Sequence, residues 1–182
     1  MHNLLFNEFK LIRLNSDTTI LPFDCGNTDL NDFLFDDAKN YANQLLATTF
    51  IIQSETETVA YFNYLNDKIS HTEIGNKDTF LNRISSLLPQ GKDEFTSYPA
   101  IKIGRLAVSN NFKGNGYGRD ILNFTKALFL DNNRTGCKFI TVDAYRESLD
   151  FYLKNGFKYL SSRDKKSDTR LMYFNLGALS NS

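Results

Sequence analysis

This sequence offers little for metal chemistry: its 182 residues include only two cysteines, Cys25 and Cys137, and two histidines. The cysteines lie far apart and neither has a Cys or His neighbour at metal-ligand spacing, which argues against a zinc site and leaves both as expected free thiols. Net charge is missing too. Lys and Arg number 21 against 21 Asp and Glu, so no global field exists to hold a polyanion, and any nucleic-acid contact needs a local basic patch. No apolar run approaches the roughly 20 residues that a bilayer-spanning helix requires. Met1 to Lys10 also lacks a basic stretch followed by an apolar one, so the expected location is cytoplasmic, with no membrane partner. What is present is ordinary: hydrophobic residues make up 41% and charged residues 23%, close to the average of soluble globular chains. The length fits one domain, 1–182, that buries a core without disulfides or structural metal.

Apolar periodicity divides the chain into elements. Phe9 to Leu14 alternates as a short strand. From Thr28, the residues Leu30, Phe33, Leu34, Ala38, Tyr41 and Leu45 recur as one face of a helix, which Asn27 or Thr28 can cap. Thr48 to Ile52 and Val59 to Leu65 are β-branched and aromatic runs joined by the polar stretch Gln53 to Thr58, a predicted antiparallel hairpin. Asn66 to Tyr98 reads as an insertion, at about 66–98; it carries a short helix around Phe80 to Leu88 and a loop with Pro89, Gly91 and Pro99. Ile101 to Val108 is a strand. Ile121, Leu122, Thr125, Leu128 and Phe129 give a second amphipathic helix, and Phe139 to Ala144 a buried strand. A short helix with Leu149, Tyr152 and Leu153 stops at Gly156, and Phe157 to Leu160 with Thr169 to Leu176 form a closing hairpin around Ser161 to Asp168. Helices alternate with strands only in the middle of the chain, so a mixed α/β sheet is the expected class.

The segment between the strand ending at Val108 and the next helix is Asn111-Phe112-Lys113-Gly114-Asn115-Gly116-Tyr117-Gly118, with three glycines at alternate positions. Glycine lets successive amides turn toward one point and an anion approach the backbone closely. The first turn of the following helix adds unpaired N–H groups and partial positive charge, and Lys113 and Arg119 add full charges. By itself the loop fits either a flexible βα connection or a pyrophosphate cradle. A nucleotide triphosphatase is disfavoured because no Gly-Lys is followed by Ser or Thr. A dinucleotide fold is disfavoured because the pattern is Gly-x-Gly-x-Gly, the polar stretch Ser109 to Lys113 separates it from the strand, and no second βαβ half exists.

Ile103-Gly104-Arg105-Leu106-Ala107-Val108 followed by Lys113-Gly114-Asn115-Gly116-Tyr117-Gly118 resembles the acyl-CoA signature of the GNAT acetyltransferase superfamily, a strand and then Arg/Gln-x-x-Gly-x-Gly/Ala. Lys113 stands in the first position, which keeps the charge and loses the planar fork. Asp143-Ala144-Tyr145 and then Phe151-Tyr152-Leu153-Lys154-Asn155-Gly156-Phe157 resemble the family's closing segment. Tyr145 and Ser148 replace residues common in relatives. The resemblance implies a twisted, mostly antiparallel sheet of about six to seven strands, splayed at the cofactor site and flanked by helices. It implies acetyl-CoA as cofactor: Leu106, Ala107 and Val108 face the pantetheine arm with backbone groups, and Lys113, Gly114, Asn115, Gly116, Tyr117, Gly118 and Arg119 hold the pyrophosphate. Phe23-Asp24-Cys25-Gly26-Asn27 leading into Leu30, Asn31, Phe33 and Leu34 is similar to the opening of the acetyltransferases of toxin-antitoxin pairs, which acetylate aminoacyl-tRNA. Read without the resemblance, Phe23 to Asn27 is a turn and the apolar positions after it are core.

Acetyl transfer needs a neutral amine, a donor for the oxyanion and a proton for the departing thiolate. The resemblance makes Tyr152 the catalytic acid; by spacing alone it reads as an aromatic packed with Leu149 and Leu153. A phenol of pKa about 10 can protonate a thiolate whose thiol has pKa about 8.5 when in hydrogen-bond reach. A backbone N–H near Leu106 to Val108 would hold the oxyanion. For the base, Asp93, Glu94, Asp143 and His71 stay open. Cys137 has no His nearby, which disfavours a covalent cysteine intermediate and points to direct transfer in a ternary complex. Three functions fit: an acetyltransferase for a small-molecule or protein amine, a toxin-type enzyme with tRNA and an antitoxin as partners, or a catalytically silent acyl-CoA-binding module. A homodimer is compatible with each, and no metal is expected.

Overall fold

The computed structural model describes residues 4–74, 82, 84, 87–88, 96–131 and 136–179. Seven strands, β1 (Lys10–Arg13), β2 (Thr48–Gln53), β3 (Thr58–Ser70), β4 (Ser97–Val108), β5 (Phe139–Tyr145), β6 (Lys158–Tyr159) and β7 (Thr169–Asn175), form one sheet in the order β1-β2-β3-β4-β5-β7-β6. The pairs β1/β2, β2/β3, β5/β7 and β6/β7 are antiparallel. The mixed sheet of six to seven strands, with helices, is therefore what the chain forms. It divides into two compact units: one takes the chain up to Leu65 and again from Ile103 to Thr125, the other takes Asn66 to Lys102 and the chain from Lys126 onward.

In the first unit, α1 (Leu4–Glu8) precedes β1, and a helical stretch of α2 (Thr28–Asp32), a π-helical turn (Phe33–Asp37) and α3 (Ala38–Asn43) follows. Asn27 caps it as predicted, its side-chain oxygen accepting from Leu30 N at 3.1 Å. Phe33, Leu34 and Ala38 pack with Ile51, Tyr61 and Ala107, and the Tyr61 hydroxyl donates to Leu30 O at 2.7 Å. Leu45 departs from the predicted face. The helix ends at Asn43, Leu46 N bonds Tyr41 O and Leu45 N bonds Ala42 O, a Schellman-type stop with Leu45 at φ +59° where glycine is usual. Its side chain is 91% exposed, because the left-handed residue turns the chain away from the apolar stripe.

α5 (Tyr117–Asp131; α4 is His71–Ile74) starts two residues earlier than the sequence suggests and buries Ile121, Leu122 and Thr125. Within β4, a side chain replaces a backbone acceptor: Arg105 N donates to Asn63 Oδ1 at 2.7 Å. Gly104 makes room for this, since a Cβ there would lie 2.3 Å from Leu65 Cδ1 and 2.7 Å from Asn63 Oδ1. Leu65 can swing aside; Asn63 is buried and bonded. Gly104→Ala is therefore expected to destabilise the fold by about 1–3 kcal/mol, the usual cost of overpacking. Urea unfolding measures this, and an unchanged midpoint would show that Asn63 moves freely.

In the second unit, β3 runs on to Ser70 and β4 begins at Ser97, so Asn66 to Ser70 and Ser97 to Tyr98 are strand. Polar Asn66, Asp67 and Lys68 conceal the strand, yet Ile69 is fully buried and Asp67 accepts a hydrogen bond from Thr141 of β5. The helix expected over Phe80 to Leu88 lies largely outside the described residues, as does the loop with Pro89 and Gly91; Ile84 is buried in a core with Ile69, Phe139, Leu160 and Tyr173. The short helix is α6 (Leu149–Lys154), after which Gly156 takes φ +85°. Leu153 does not share its apolar face: it is among the exposed large hydrophobics, whereas Tyr152 is buried.

Candidate functional site

The glycine loop of the first unit has the form of an anion cradle. After β4, residues Asn110–Phe112 make one 3-10 turn, and the chain then passes Gly114 at φ +87° and Gly116 at φ +82° into the 15-residue helix α5. Those dihedrals explain the glycines: both fall where a Cβ is strained. A Cβ on Gly114 would meet nothing within 4 Å, so conformation rather than crowding selects glycine there. Among the described residues, the amides of Gly114, Asn115, Gly116 and Tyr117 have no recorded acceptor, whereas those of Arg119 and Asp120 donate to Gly116 O at 3.0 and 3.1 Å. The open amides are therefore 114–117 and the free first-turn amide of Gly118. Arg119 can offer only its side chain.

Lys113 and Tyr117 lie differently from a set of ligands around one anion. Lys113 Nζ donates to the carbonyl oxygen of Cys25 at 2.8 Å. Tyr117 is buried, packs edge-on against Phe9, and donates its hydroxyl to Glu8 Oε2 at 3.0 Å. Burial, and then the Glu8 carboxylate, raise its pKa. Both side chains are anchors of the loop, and Tyr117 can reach an anion only through its amide. Of the three strand residues, Ala107 is buried, and Leu106 and Val108 are half-buried. Asn110, Asp24 and Asn31, which the sequence did not single out as working parts, hold the turn next to Lys113.

In the second unit, Tyr152 is 6% exposed and its ring packs edge-on against Phe151 at 5.1 Å and Phe157 at 5.3 Å. No hydrogen bond to its hydroxyl is recorded among the described residues. Burial alone pushes its pKa well above the ordinary phenol value, so the group keeps its proton at any working pH. Of the candidate bases, Asp143 is ion-paired with Lys102, which ties up its carboxylate. His71 sits in the one-turn helix α4, and Asp93 and Glu94 lie outside the described residues. Cys137 is buried, donates to Phe139 O at 3.0 Å, and has its thiol pushed up to about 11 by burial, the opposite of an activated nucleophile. Cys25 is likewise raised by burial. Among the described residues no cluster of three His, Cys, Asp or Glu could hold a metal, and no helix is long and apolar enough to cross a membrane.

Residues 85–159 match the sequence profile of the Acetyltransferase (GNAT) domain, a span that includes the loop, α5, β5 and Tyr152. An uncharacterized N-acetyltransferase of Staphylococcus saprophyticus is 26% identical over 151 residues, covering 78% of this chain and 90% of that protein. Among solved structures, AtaT complexed with acetyl-methionyl-tRNAfMet superposes with a TM-score of 0.73 at 17% identity, covering 95% of this chain and 98% of that one. A tyrosine-to-phenylalanine mutant of the AtaT toxin, bound to the C-terminus of the antitoxin AtaR and acetyl-CoA, gives 0.71 at 16% identity, covering 96% and 97%. The structural likeness is one of fold, extending over nearly the whole of each chain.

Proposed function

Because this chain carries a GNAT acetyltransferase domain, we propose that it moves the acetyl group of acetyl-CoA to a primary amine by direct transfer in a ternary complex, residues 1–182 acting as one catalytic domain. The observation that carries this reading is the run of open amides from Gly114 to Gly118, set by two left-handed glycines at the start of a 15-residue helix. Such a cradle fits a pyrophosphate, and a Cβ at Gly116 would crowd the Arg119 side chain beside it. Acetyl-CoA supplies an activated thioester carbonyl. Amides 114–118 and the Arg119 side chain would orient the cofactor, a backbone N–H of Leu106 to Val108 would stabilise negative charge on the carbonyl oxygen, and Tyr152 would give its proton to the departing sulfur, while the proton lost by the amine passes to solvent, from which Tyr152 is reprotonated. Its buried phenol is a weaker acid than usual, but the same loss of water makes a thiolate hungrier for the proton.

A test is thermal unfolding with added acetyl-CoA. At 100 times Kd the folded state gains about 2.7 kcal/mol, which for a chain of this size raises Tm by roughly 5–10 °C. No shift at millimolar acetyl-CoA would remove the reading.

The amino group of an aminoacyl-tRNA is a second acceptor, favoured by the near-complete fold match to a toxin complexed with acetyl-methionyl-tRNAfMet and by the Phe23-to-Asn27 segment. With 21 basic against 21 acidic residues, binding must come from a local patch. The affinity for charged tRNA is then expected to fall steeply between low and moderate salt as counterions are released, and expression should arrest growth unless a partner protein neutralises the enzyme. Acetylation of small amines with charged tRNA untouched, and harmless expression, would assign a metabolic or protein amine instead.

A further inference from the structure

We propose that Asp24 positions the phosphate loop through Asn110 and Lys113, and that the Lys113 ammonium is a strut on the Asp24–Gly26 turn rather than a ligand of the cofactor's phosphates. The proposal rests on the acetyl-CoA reading above and names which residues shape that site. Asp24 Oδ1 accepts from Gly26 N and from Asn31 Nδ2, both at 2.8 Å, and Oδ2 accepts from Asn110 Nδ2 at 3.2 Å. The main chain repeats the link, Asn110 N donating to Asp24 O at 2.8 Å. Asn31 Oδ1 in turn accepts from Cys25 N at 3.0 Å and from the Cys25 thiol at 3.2 Å. This leaves the Cys25 carbonyl oxygen to take Lys113 Nζ at 2.8 Å.

The turn fits too closely to be an idle connection. Gly26 takes φ +78°, and a Cβ there would lie 3.3 Å from Asn110 Nδ2. Asp24 is exposed, yet its carboxyl is held below the usual carboxylate range, by the Gly26 amide first and the Asn31 amide next.

These contacts grip the chain immediately before Gly114. On the far side, Tyr117 is buried and tied to Glu8 at 3.0 Å. The open amides are thus suspended between two anchors, so their ordering precedes cofactor binding and is not charged against affinity. A lysine whose ammonium already serves a carbonyl in this way contributes by holding the loop. The alternative, the first residue of the family signature reaching a phosphate, requires that bond to break.

A double-mutant cycle on the full chain separates the two, with acetyl-CoA affinity measured for wild type, Asp24→Ala, Lys113→Met and the pair. Each single change is expected to weaken binding about tenfold, the scale of one charge-assisted hydrogen bond. The pair should be little worse than either, because both cut the same tether. The salt dependence of binding should be the same in Lys113→Met as in wild type, KM for acetyl-CoA should rise in Asp24→Ala with kcat within about threefold, and Asp24→Asn, which keeps one acceptor oxygen, should recover part of the loss. If Asp24→Ala melts early without cofactor, Asn110→Ala takes its place, removing only the loop-side partner. Additive losses with a shallower salt dependence in Lys113→Met would make the lysine a direct phosphate ligand and overturn the proposal, as would unchanged affinity in both single variants. Failure of the wild type to bind acetyl-CoA would instead bring down the function reading, and this proposal with it.

Discussion

Tyr152→Phe is expected to lower kcat by roughly 10²-fold to 10⁴-fold while leaving acetyl-CoA affinity and fold intact, the usual size of a general-acid contribution. At about 1.36 kcal/mol per decade this is about 2.7–5.4 kcal/mol of barrier. The substitution removes one oxygen and keeps the ring that packs on Phe151 and Phe157. No hydrogen bond of that hydroxyl within the described residues is lost with it, so no buried partner is stranded and Tm should move by little. Burial raises the tyrosine's pKa, so its proton stays on as pH rises past the ordinary phenol value. The alkaline limb of kcat in the wild type should therefore not bend at pH about 10, where an exposed phenol would titrate. Full turnover in Tyr152→Phe, measured on whichever amine proves to be the acceptor, would make the residue a core aromatic and leave water or another group as the proton source.

Gly116→Val is expected to abolish the acetyl-CoA-dependent rise in Tm, with affinity down by at least about 10²-fold. Gly116 stands at φ +82°, where a β-branched residue is a true outlier, and forcing it costs of the order of 1–2 kcal/mol or moves the chain. Either result redirects the amides of Gly116 and Tyr117, which are among the open donors. The added Cβ would also lie 3.2 Å from Arg119 Nη2, a flexible tip that yields at the expense of its own approach to a phosphate. Residues 113–118 are exposed apart from buried Tyr117 and half-buried Gly116 and Gly118, so the melting temperature without cofactor should fall by a few degrees at most. Gly114→Val in parallel tests the same strain where no neighbour is touched. Normal binding by Gly116→Val would relocate the phosphate site.

The elements legible in the sequence were those whose residues report on nearest neighbours. Asn27 announced a cap because the bond it makes, to Leu30 N, spans three residues. Leu30, Phe33 and Ala38 announced a helix face, and Gly114, Gly116 and Gly156 the left-handed positions they occupy, because those dihedrals are local properties of the chain. The same locality exposed the glycine loop and the strands β2, β4, β5 and β7. What stayed hidden depended on partners far along the chain. Asn66 to Ser70 did not read as strand because the donor that makes Asp67 tolerable there, the Thr141 hydroxyl, lies 74 residues from it. Leu45 and Leu153 looked apolar and inward, but the stop of one helix and the setting of another turned both to solvent. Lys113 read as a phosphate ligand from its place in the motif; only the fold brings it to the Cys25 carbonyl, 88 residues away. Sequence by itself determined the local conformations and so the family resemblance, since backbone preference and motif spacing act over a few residues. Tertiary structure alone decided which charged and polar side chains remain available for that chemistry, because a hydrogen bond or ion pair is settled by whatever the whole fold places within 3 Å.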